Sequence, residues 1–505
     1  IAGYTYSQPE GAMIVDYTGN PDMGGEVYLY DITLPDINTF SILHTNDFHG
    51  NLEPAGSNPG IARTAKVINN VRSAVGADNV LLVDAGDEMQ GSLLSNLSDG
   101  AATIDLFNFV GYQAATFGNH EFDWGQTVLE ERMDQADYPF LATNLVINDT
   151  GNCATAGWTH PDYVQPWTTM TVGDPGNEVV VGLIGVTSQE TPYITVASAT
   201  DGLCFKEATE SISHYYDAVV AAGAEVLVII SHLGNVDGGY GYGIPVYGDQ
   251  TLARNLINAG KPVDLIIGGH SHTNLSAAQI IEVAGMPGKT YVVQAHYAGR
   301  RVGRADIAYN RTDDTVAINW QSLAVSTSGE QDAATLARLN TWAQDPNYLS
   351  LINTVIGYTN VSLTRRSTLD NTMGAFVNDA IYYELNGDAE PLNDVDMVFN
   401  NSGGLRADII ATGAPTVPYT LTYGALFSVL PFGNQTVVGD MTGAQIMELL
   451  NQSATLFKGT LQIAGIRFKY YSYGAPDTFD AYHNTWWAWG AYDVEVKNGA
   501  TWEPL

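Results

Sequence analysis

Residues 42–50, ILHTNDFHG, begin as an apolar run, reach an acidic residue, and place a histidine two positions later. The run predicts a buried strand, so that Asp47 and His49 lie in the loop after it. A carboxylate oxygen and an imidazole nitrogen that converge on one point form half of a site for a divalent metal. Taken alone, the pair is also typical of an ordinary solvated loop.

The same pattern recurs four more times along the chain. Each further apolar run ends in side chains that can bind a metal: VLLVDAGD at 80–87, AATFGNHEFD at 114–123, EVLVIISHLG at 225–234 and DLIIGGHSHT at 264–273. Near-continuous apolar runs are typical of strands buried on both faces, and ligands of α/β sheets collect at the carboxyl ends of such strands. The five loops are therefore predicted to meet at one metal site.

In this order, the segments NDFHG, DAGD, GNHEFD, SHLG and GHSHT resemble the calcineurin-like metallophosphoesterases, and in detail the secreted 5'-nucleotidase family, over roughly residues 38–500. The resemblance implies a mixed α/β fold, in which a four-layer αββα sandwich precedes a smaller α/β substrate domain. The expected parts are an N-terminal arm or tail of a preceding domain at 1–37, the catalytic domain at 38–325, a connecting helix at 326–350, and the substrate domain at 351–505. The chain stops before the family's usual last segment. More than one domain is also expected because 505 residues exceed the range of about 250–300 for a single core.

The resemblance also assigns the site residues. It implies one metal bound by Asp47, His49 and His272, a second bound by Asn119, His232 and His270, and Asp84 as the bridge between them. Family members often carry Gln or Asn at the position of His272. His120 resembles the histidine that stabilises the transition state, with Asp123 three residues later to orient its ring.

Two C-terminal segments, NNSGGLR and PFGN, resemble the substrate-binding motifs of the same family. Arg406 is expected to bind a phosphate, Phe432 to stack on a nucleobase and Asn434 to bind the base edge. The other expected substrate contacts are Asn119 and either or both of Arg365 and Arg366. The second aromatic ring of the family's base pocket has no match, because Trp486, Trp487 and Trp489 fall too early in the chain.

The implied function is that of a dimetal phosphohydrolase, which removes phosphate from nucleotides by attack of a metal-bound hydroxide. Two divalent ions, which Zn, Mn, Fe or Co would suit, neutralise the phosphoryl oxygens and activate water. Cyclic-nucleotide phosphodiesterase and UDP-sugar hydrolase are alternatives within the family. A sulfur-compound hydrolase on the same scaffold is another, against which PFGN argues. An extracellular structural or adhesive protein that retains the fold is the alternative of another class.

Composition restricts the partners and indicates the compartment. The net charge of −35 repels nucleic acid and anionic membranes, and no apolar stretch reaches the roughly 18 residues of a membrane span. The chain begins at Ile1 without an initiator Met or a signal peptide, as a mature or excised product would, and an extracellular, periplasmic or cell-surface location is inferred. In such a compartment Cys153 and Cys204 are expected to form a disulfide, with two unrelated thiols as the alternative.

Overall fold

A computed structural model describes the chain at residues 12–13, 30–31, 36–238, 243–365, 371–387, 395–412, 418–455, 460–472, 479–480, 485–486, 489–498 and 501–505. Two compact units divide the chain. The first comprises Ile1–Met89 and Thr103–Leu336, and the second comprises Gln90–Ala102 and Ala337–Leu505. Most of the predicted N-terminal arm at 1–37 lies outside the described residues.

The described strands, in chain order, are β1 Ala12–Met13, β2 Tyr30–Asp31, β3 Ile37–Thr45, β4 Val80–Asp84, β5 Ala114–Thr116, β6 Phe140–Leu141, β7 Leu145–Ile147, β8 Trp167–Val172, β9 Val179–Val186, β10 Leu203–Phe205, β11 Val226–Ser231, β12 Leu265–Gly268, β13 Gln279–Glu282, β14 Lys289–Val293, β15 Arg301–Asn310, β16 Thr315–Ala324, β17 Val355–Thr359, β18 Val398–Asn400, β19 Tyr419–Thr422, β20 Gln462–Ala464, β21 Ile466–Ser472, β22 Phe479–Asp480, β23 Thr485–Trp486, β24 Trp489–Asn498 and β25 Thr501–Pro504.

The described α-helices are α1 Ile61–Val75, α2 Leu93–Leu97, α3 Ala101–Val110, α4 Gln126–Gln135, α5 Thr191–Ile194, α6 Ala208–Ala221, α7 Asp249–Asn258, α8 Ala333–Ala343, α9 Pro346–Ile352, α10 Thr372–Gly387, α11 Tyr423–Phe427 and α12 Gly443–Ala454. In this part of the chain no helix is long and apolar enough to cross a bilayer.

The first unit is built on two six-stranded sheets. One has the order β16-β15-β3-β4-β5-β6, and the other has the order β13-β14-β12-β11-β9-β8. Strands β3 to β6 run parallel in the first sheet, as do β9, β11, β12 and β14 in the second. The parallel register aligns strand ends, since Thr45 pairs with Asp84 and Ser231 with both Val186 and Gly268. Loops that leave these strands at their carboxyl ends are thereby gathered.

The main core lies between the two sheets. Alternate residues of β3 and β4, such as Ile42 and Val83, share one buried cluster with Leu183, Ile230 and Ile267 of the other sheet. The opposite face of the second sheet packs against the apolar faces of α6 and α7. Helix α1, which contacts β15, buries its own apolar positions on the side of the first sheet. The predicted αββα sandwich is confirmed.

The second unit has small sheets and two separate apolar clusters. One cluster joins Met373 and Val377 of α10 to Leu421 of β19 and to neighbouring loops, and the other joins α12 to β21 and β24. The predicted connector at 326–350 overlaps two helices, α8 and α9, and α9 continues to Ile352. The second helix begins anew because Asp345 accepts hydrogen bonds from the backbone N–H groups of Asn347 and Tyr348, with Pro346 at its first turn.

The two cysteines form a disulfide, as predicted, and they lie 51 residues apart in sequence. Cys204 is buried in β10 against Val146 and Ala156. We expect Cys153→Ser with Cys204→Ser to lower the free energy of unfolding of the first unit by up to about 4 kcal/mol, because a loop of this length loses its closure constraint. Thermal or urea unfolding with and without reductant measures this. An unchanged midpoint after reduction contradicts it.

Candidate active site

The loop after β3 presents Asp47 and His49 to one pocket. Both side chains are buried, and both residues have a φ of 51°. Backbone hydrogen bonds hold the loop against the loop after β4, because the N–H of Asp47 donates to Gly86 O and that of His49 donates to Asp87 O. The two strand-end loops are therefore fixed to each other at the point where their acidic side chains meet.

The carboxylate that the loop after β4 brings to this pocket is Asp87. Its Oδ2 lies 3.0 Å from Nε2 of His232 and 3.9 Å from Nε2 of His49. Its Oδ1 accepts the backbone N–H of His120 at 2.9 Å. Burial raises the pKa of Asp87, but the neighbouring His232 and His120 outweigh it and hold this pKa well below its usual range. The carboxylate is thus ionised and faces histidines on three sides.

The bridging position predicted for Asp84 is corrected by this geometry. Asp84 ends β4, where its Oδ2 accepts a hydrogen bond from Thr45 at 2.5 Å and its Oδ1 accepts the N–H of Gly86. It belongs to none of the groups of described acidic and histidine side chains that could hold a metal. Burial raises the pKa of Asp84 to about 8, so this carboxyl group is largely protonated at neutral pH. Gly86, with a φ of 84°, turns the chain so that Asp87 enters the pocket instead.

Three histidines enter from the second sheet. His232 follows β11 and is fully buried, and its Nδ1 donates to Ala85 O at 2.6 Å, which leaves Nε2 directed at Asp87. His270 and His272 follow β12. The backbone N–H of His270 donates to Oδ1 of Asp47, and Nε2 of His272 lies 3.4 Å from the same oxygen.

Nε2 of His272 also lies 3.1 Å from Nε2 of His49, and its ring stacks on Tyr297 with centroids 4.6 Å apart. The histidine that departs from the family pattern is therefore packed into the site rather than displaced from it.

The loop after β5 contributes Asn119 and His120. Oδ1 of Asn119 is buried and accepts no hydrogen bond from any described residue. Nδ1 of His120 lies 2.6 Å from Oδ2 of Asp123, so the two side chains are in contact. The predicted roles, transition-state stabilisation by His120 and orientation of its ring by Asp123, stay predictions. Burial lowers the pKa of His120, yet the charges of Asp87 and Asp123 raise it to about 9, so this imidazole is positively charged at neutral pH. Gly118 is required beside them, since a Cβ there would overlap Oδ1 of Asp87.

The residues present fit a pair of divalent ions. Ligand atoms cluster in three overlapping groups, namely Asp47, His49 and His272; His49, Asp87 and His120; and Asp87, His232 and His270. Asp87 and His49 each belong to two groups, but only the carboxylate of Asp87 has two oxygens with which to bridge two ions. Oδ1 of Asn119 adds an oxygen ligand. Burial lowers the pKa of His232, but the charges of Asp87 and Asp47 outweigh it and raise this pKa to about 10, so the pocket stabilises positive charge.

Backbone conformation separately marks these residues. Among the described non-glycine residues with positive φ are Asp47, His49, Asp87, His270 and His272. A left-handed conformation is uncommon for residues other than glycine, although Asp and His adopt it more often than most, and it is concentrated at functional sites. Residues outside the ligand groups, such as Asp99 and Asp314, share this conformation, so it accompanies the convergence of the five side chains without being confined to them.

The predicted substrate residues belong to the second unit, apart from Asn119. The guanidinium of Arg406 lies 5.1 Å from the ring centre of Phe432, so these two predicted contacts are adjacent, and Asn434 is exposed nearby in sequence. Arg365 instead binds within its own unit, to Oδ1 of Asp408 and to Leu405 O, both at 3.0 Å. Arg366 lies outside the described residues. Arg365 thus supports the loop that carries Arg406.

Sequence reasoning missed two residues of the first unit that contact this site. Asp87 was passed over because Asp84 ends the apolar run, although both lie in VDAGD. Glu190 was missed because the apolar run of β9 is followed by TSQE and contains no histidine. Its Oε1 lies 2.9 Å from Nε2 of His270. The signal was the same one used elsewhere, an apolar run that ends near an acidic residue.

Comparison with known proteins matches both units to families. Residues 40–274 match the family of calcineurin-like phosphoesterases, and residues 354–480 match the 5'-nucleotidase C-terminal domain. The chain belongs to the 5'-nucleotidase family. The recognition made from the five motifs is confirmed, and so is the hydrolase class that follows from it.

Individual relatives of this 5'-nucleotidase family member cover most of the chain. It is 27% identical over 490 residues to the trifunctional nucleotide phosphoesterase protein YfkN of Bacillus subtilis. The match spans 90% of this chain but only 30% of YfkN. It is 26% identical to a snake venom 5'-nucleotidase of Naja atra, over 85% of this chain and 81% of the other. The solved 5'-nucleotidase precursor of Thermus thermophilus superposes with a TM-score of 0.70 at 25% identity, over 92% of this chain and 87% of the other.

Proposed function

We propose that this protein hydrolyses nucleoside 5'-monophosphates at a dimetal centre held by Asp47, His49, Asp87, Asn119, His232, His270 and His272. The observation that carries the proposal is Asp87, which contacts histidines from both sheets and belongs to two of the three ligand groups. Divalent ions bound there would neutralise the phosphoryl oxygens and lower the pKa of water. The similarity to 5'-nucleotidases supports a nucleotide as the substrate.

The protein's side chains would have different roles in this reaction. Asp47 and Asp87 supply the negative charge that retains cations beside a phosphate dianion. His120, which is protonated and held by Asp123, compensates charge on the phosphoryl group or on the leaving oxygen. Arg406 and Phe432, in the second unit, offer a cation and an aromatic face for the phosphate and the base.

Chelation and reconstitution test this function directly. We expect a chelated protein to be inactive, and Mn or Zn to restore release of phosphate from AMP. Cyclic nucleotides, UDP-glucose and a sulfate ester, assayed side by side, distinguish the alternatives, because each requires a different bond to break. If none is hydrolysed after two ions have bound, the enzymatic function is wrong, and the structural or adhesive alternative is favoured.

Phe432→Ala tests the expected base contact. Stacking of a base on an aromatic ring is worth about 1–3 kcal/mol, so we expect KM for AMP to rise roughly tenfold. KM for p-nitrophenyl phosphate, which has no nucleobase, should change by less than about twofold on the same reasoning. Equal rises for the two substrates would remove Phe432 from base recognition.

We also propose that the protein acts outside the cytoplasm. The disulfide between Cys153 and Cys204 supports an oxidising compartment, and a relative from snake venom is a secreted product. Fractionation of the producing cells, with a cytoplasmic enzyme as marker, tests the location. Recovery with the cytoplasmic marker contradicts it.

A further inference from the structure

The segment that follows β9 contacts two residues of the site, His270 and Asp123. It runs from Ser188 to Thr195 and includes the short helix α5. At one end, Glu190 is 8% exposed and places Oε1 at 2.9 Å from Nε2 of His270. At the other end, Oγ1 of Thr195 donates to Oδ1 of Asp123 at 2.8 Å.

The segment also has hydrogen bonds that do not involve the site. Oγ1 of Thr191 donates to Ser188 O at 2.8 Å, and the N–H of Thr195 donates to Thr191 O at 3.1 Å. Just before it, the N–H of Thr187 donates to Oδ1 of Asn144 at 3.0 Å. Because these bonds do not involve the metal-binding side chains, the segment forms a preorganised support for them.

The contact with Glu190 determines which nitrogen of His270 serves as the ligand. A carboxylate can only accept, so Nε2 carries the proton and donates to Glu190, and Nδ1 presents its lone pair. A carboxylate in this position also fixes the ring plane and raises the basicity of the imidazole. The three-residue group of Asp87, His232 and His270 therefore depends on a fourth side chain that touches none of the reacting atoms.

The contact with Thr195 acts on the other half of the site. Asp123 uses Oδ2 for Nδ1 of His120, at 2.6 Å, and Oδ1 for Thr195. With both oxygens engaged, the carboxylate is held in one orientation, and the imidazole follows it. The effect on chemistry passes through Asp123 to His120.

We propose that residues 188–195 are a positioning segment, in which Glu190 sets the tautomer of the metal ligand His270 and Thr195 sets the orientation of the Asp123–His120 pair. The Thr195 part rests on the proposed function, whereas the Glu190 part requires only that the site binds metal. Neither residue is catalytic, because each acts through another side chain. Substitutions at the two ends should therefore have different effects, on metal affinity for Glu190 and on kcat for Thr195.

Metal titration of the chelated protein tests the Glu190 end. We expect Glu190→Gln to weaken one of the two Mn sites by roughly 10- to 100-fold, the usual cost of losing such a partner, and to leave the other within about threefold. The melting temperature without metal should be unchanged, and Glu190→Ala should weaken the same site at least as much. Unchanged Mn affinity, or equal weakening of both sites together with a lower melting temperature without metal, would overturn this role.

Steady-state kinetics at saturating Mn test the Thr195 end. We expect Thr195→Val to lower kcat for AMP roughly 2- to 10-fold, the worth of one hydrogen bond, with both Mn affinities unchanged. Thr195→Ser keeps the hydroxyl and should restore kcat. Val196→Ala, at the exposed residue directly after the segment, is the matched control and should behave as wild type in both assays.

The outcomes separate this inference from the proposed function. A wild-type protein that binds two ions but hydrolyses neither AMP nor p-nitrophenyl phosphate would overturn the function, and the titrations would still decide the role of Glu190. An active wild type in which Thr195→Val changes nothing, or lowers kcat without rescue by Ser, would overturn the Thr195 part alone.

Discussion

Asp87→Asn is expected to lower kcat/KM for AMP by about three orders of magnitude, which corresponds to about 4 kcal/mol of transition-state stabilisation. The substitution keeps the shape of the side chain but removes the charge that faces His49 and His232, at 3.9 and 3.0 Å. An amide is also a poor bridge between two cations, because one of its two atoms is a donor. We therefore expect metal content to fall from two ions toward one or none, measured by elemental analysis after dialysis.

Asp84→Asn is the matched control, with the same chemical change three residues earlier. Asp84 accepts hydrogen bonds from Thr45 and Gly86 and is largely protonated, so its charge contributes little to the site. We expect a loss of roughly 1–3 kcal/mol in stability, because a buried hydrogen bond changes, and nearly full metal content. If instead Asp84→Asn empties the site while Asp87→Asn does not, the bridging role returns to Asp84.

Asp84 and Asp87 also show which features of the site could be predicted from the sequence and which could not. Apolar runs identified β3, β4, β5, β11 and β12, because strands buried on both faces need apolar side chains at nearly every position. The parallel register then gathers their carboxyl ends, so that convergence of the five loops followed from the pattern. The choice between Asp84 and Asp87 did not follow, because alternation applies within a strand and stops at the turn made by Gly86.

The sequence pattern also could not predict contacts between residues that are far apart in the chain, for a different reason. Arg365 resembled a substrate residue, but its partner Asp408 lies 43 positions away and is known only once the second unit has folded. Glu190 is 80 positions from His270. A single sequence supplies the type of residue and its local spacing, whereas these pairs are set by tertiary packing.

His120→Asn is expected to lower kcat for AMP by about 10²- to 10³-fold while both metal ions remain bound. The substitution removes an imidazolium whose pKa Asp87 and Asp123 raise to about 9 against the effect of burial. Because that pKa is raised, the charge is present at neutral pH and is lost as pH rises through about 9. Asp123→Asn should cost less than His120→Asn, since it loosens the ring without removing it.

Metal content decides between two roles for His120. Its ring nitrogen also falls within a group with His49 and Asp87 that could hold a cation, so a role as ligand predicts loss of an ion together with loss of rate. A role in charge compensation predicts loss of rate alone. His296→Asn is the matched control, because Nδ1 of His296 lies 3.2 Å from His272 O but the residue belongs to none of the ligand groups among the described residues. Wild-type turnover in His120→Asn would exclude both roles, and the chemistry would then depend on the metal ligands and the second unit.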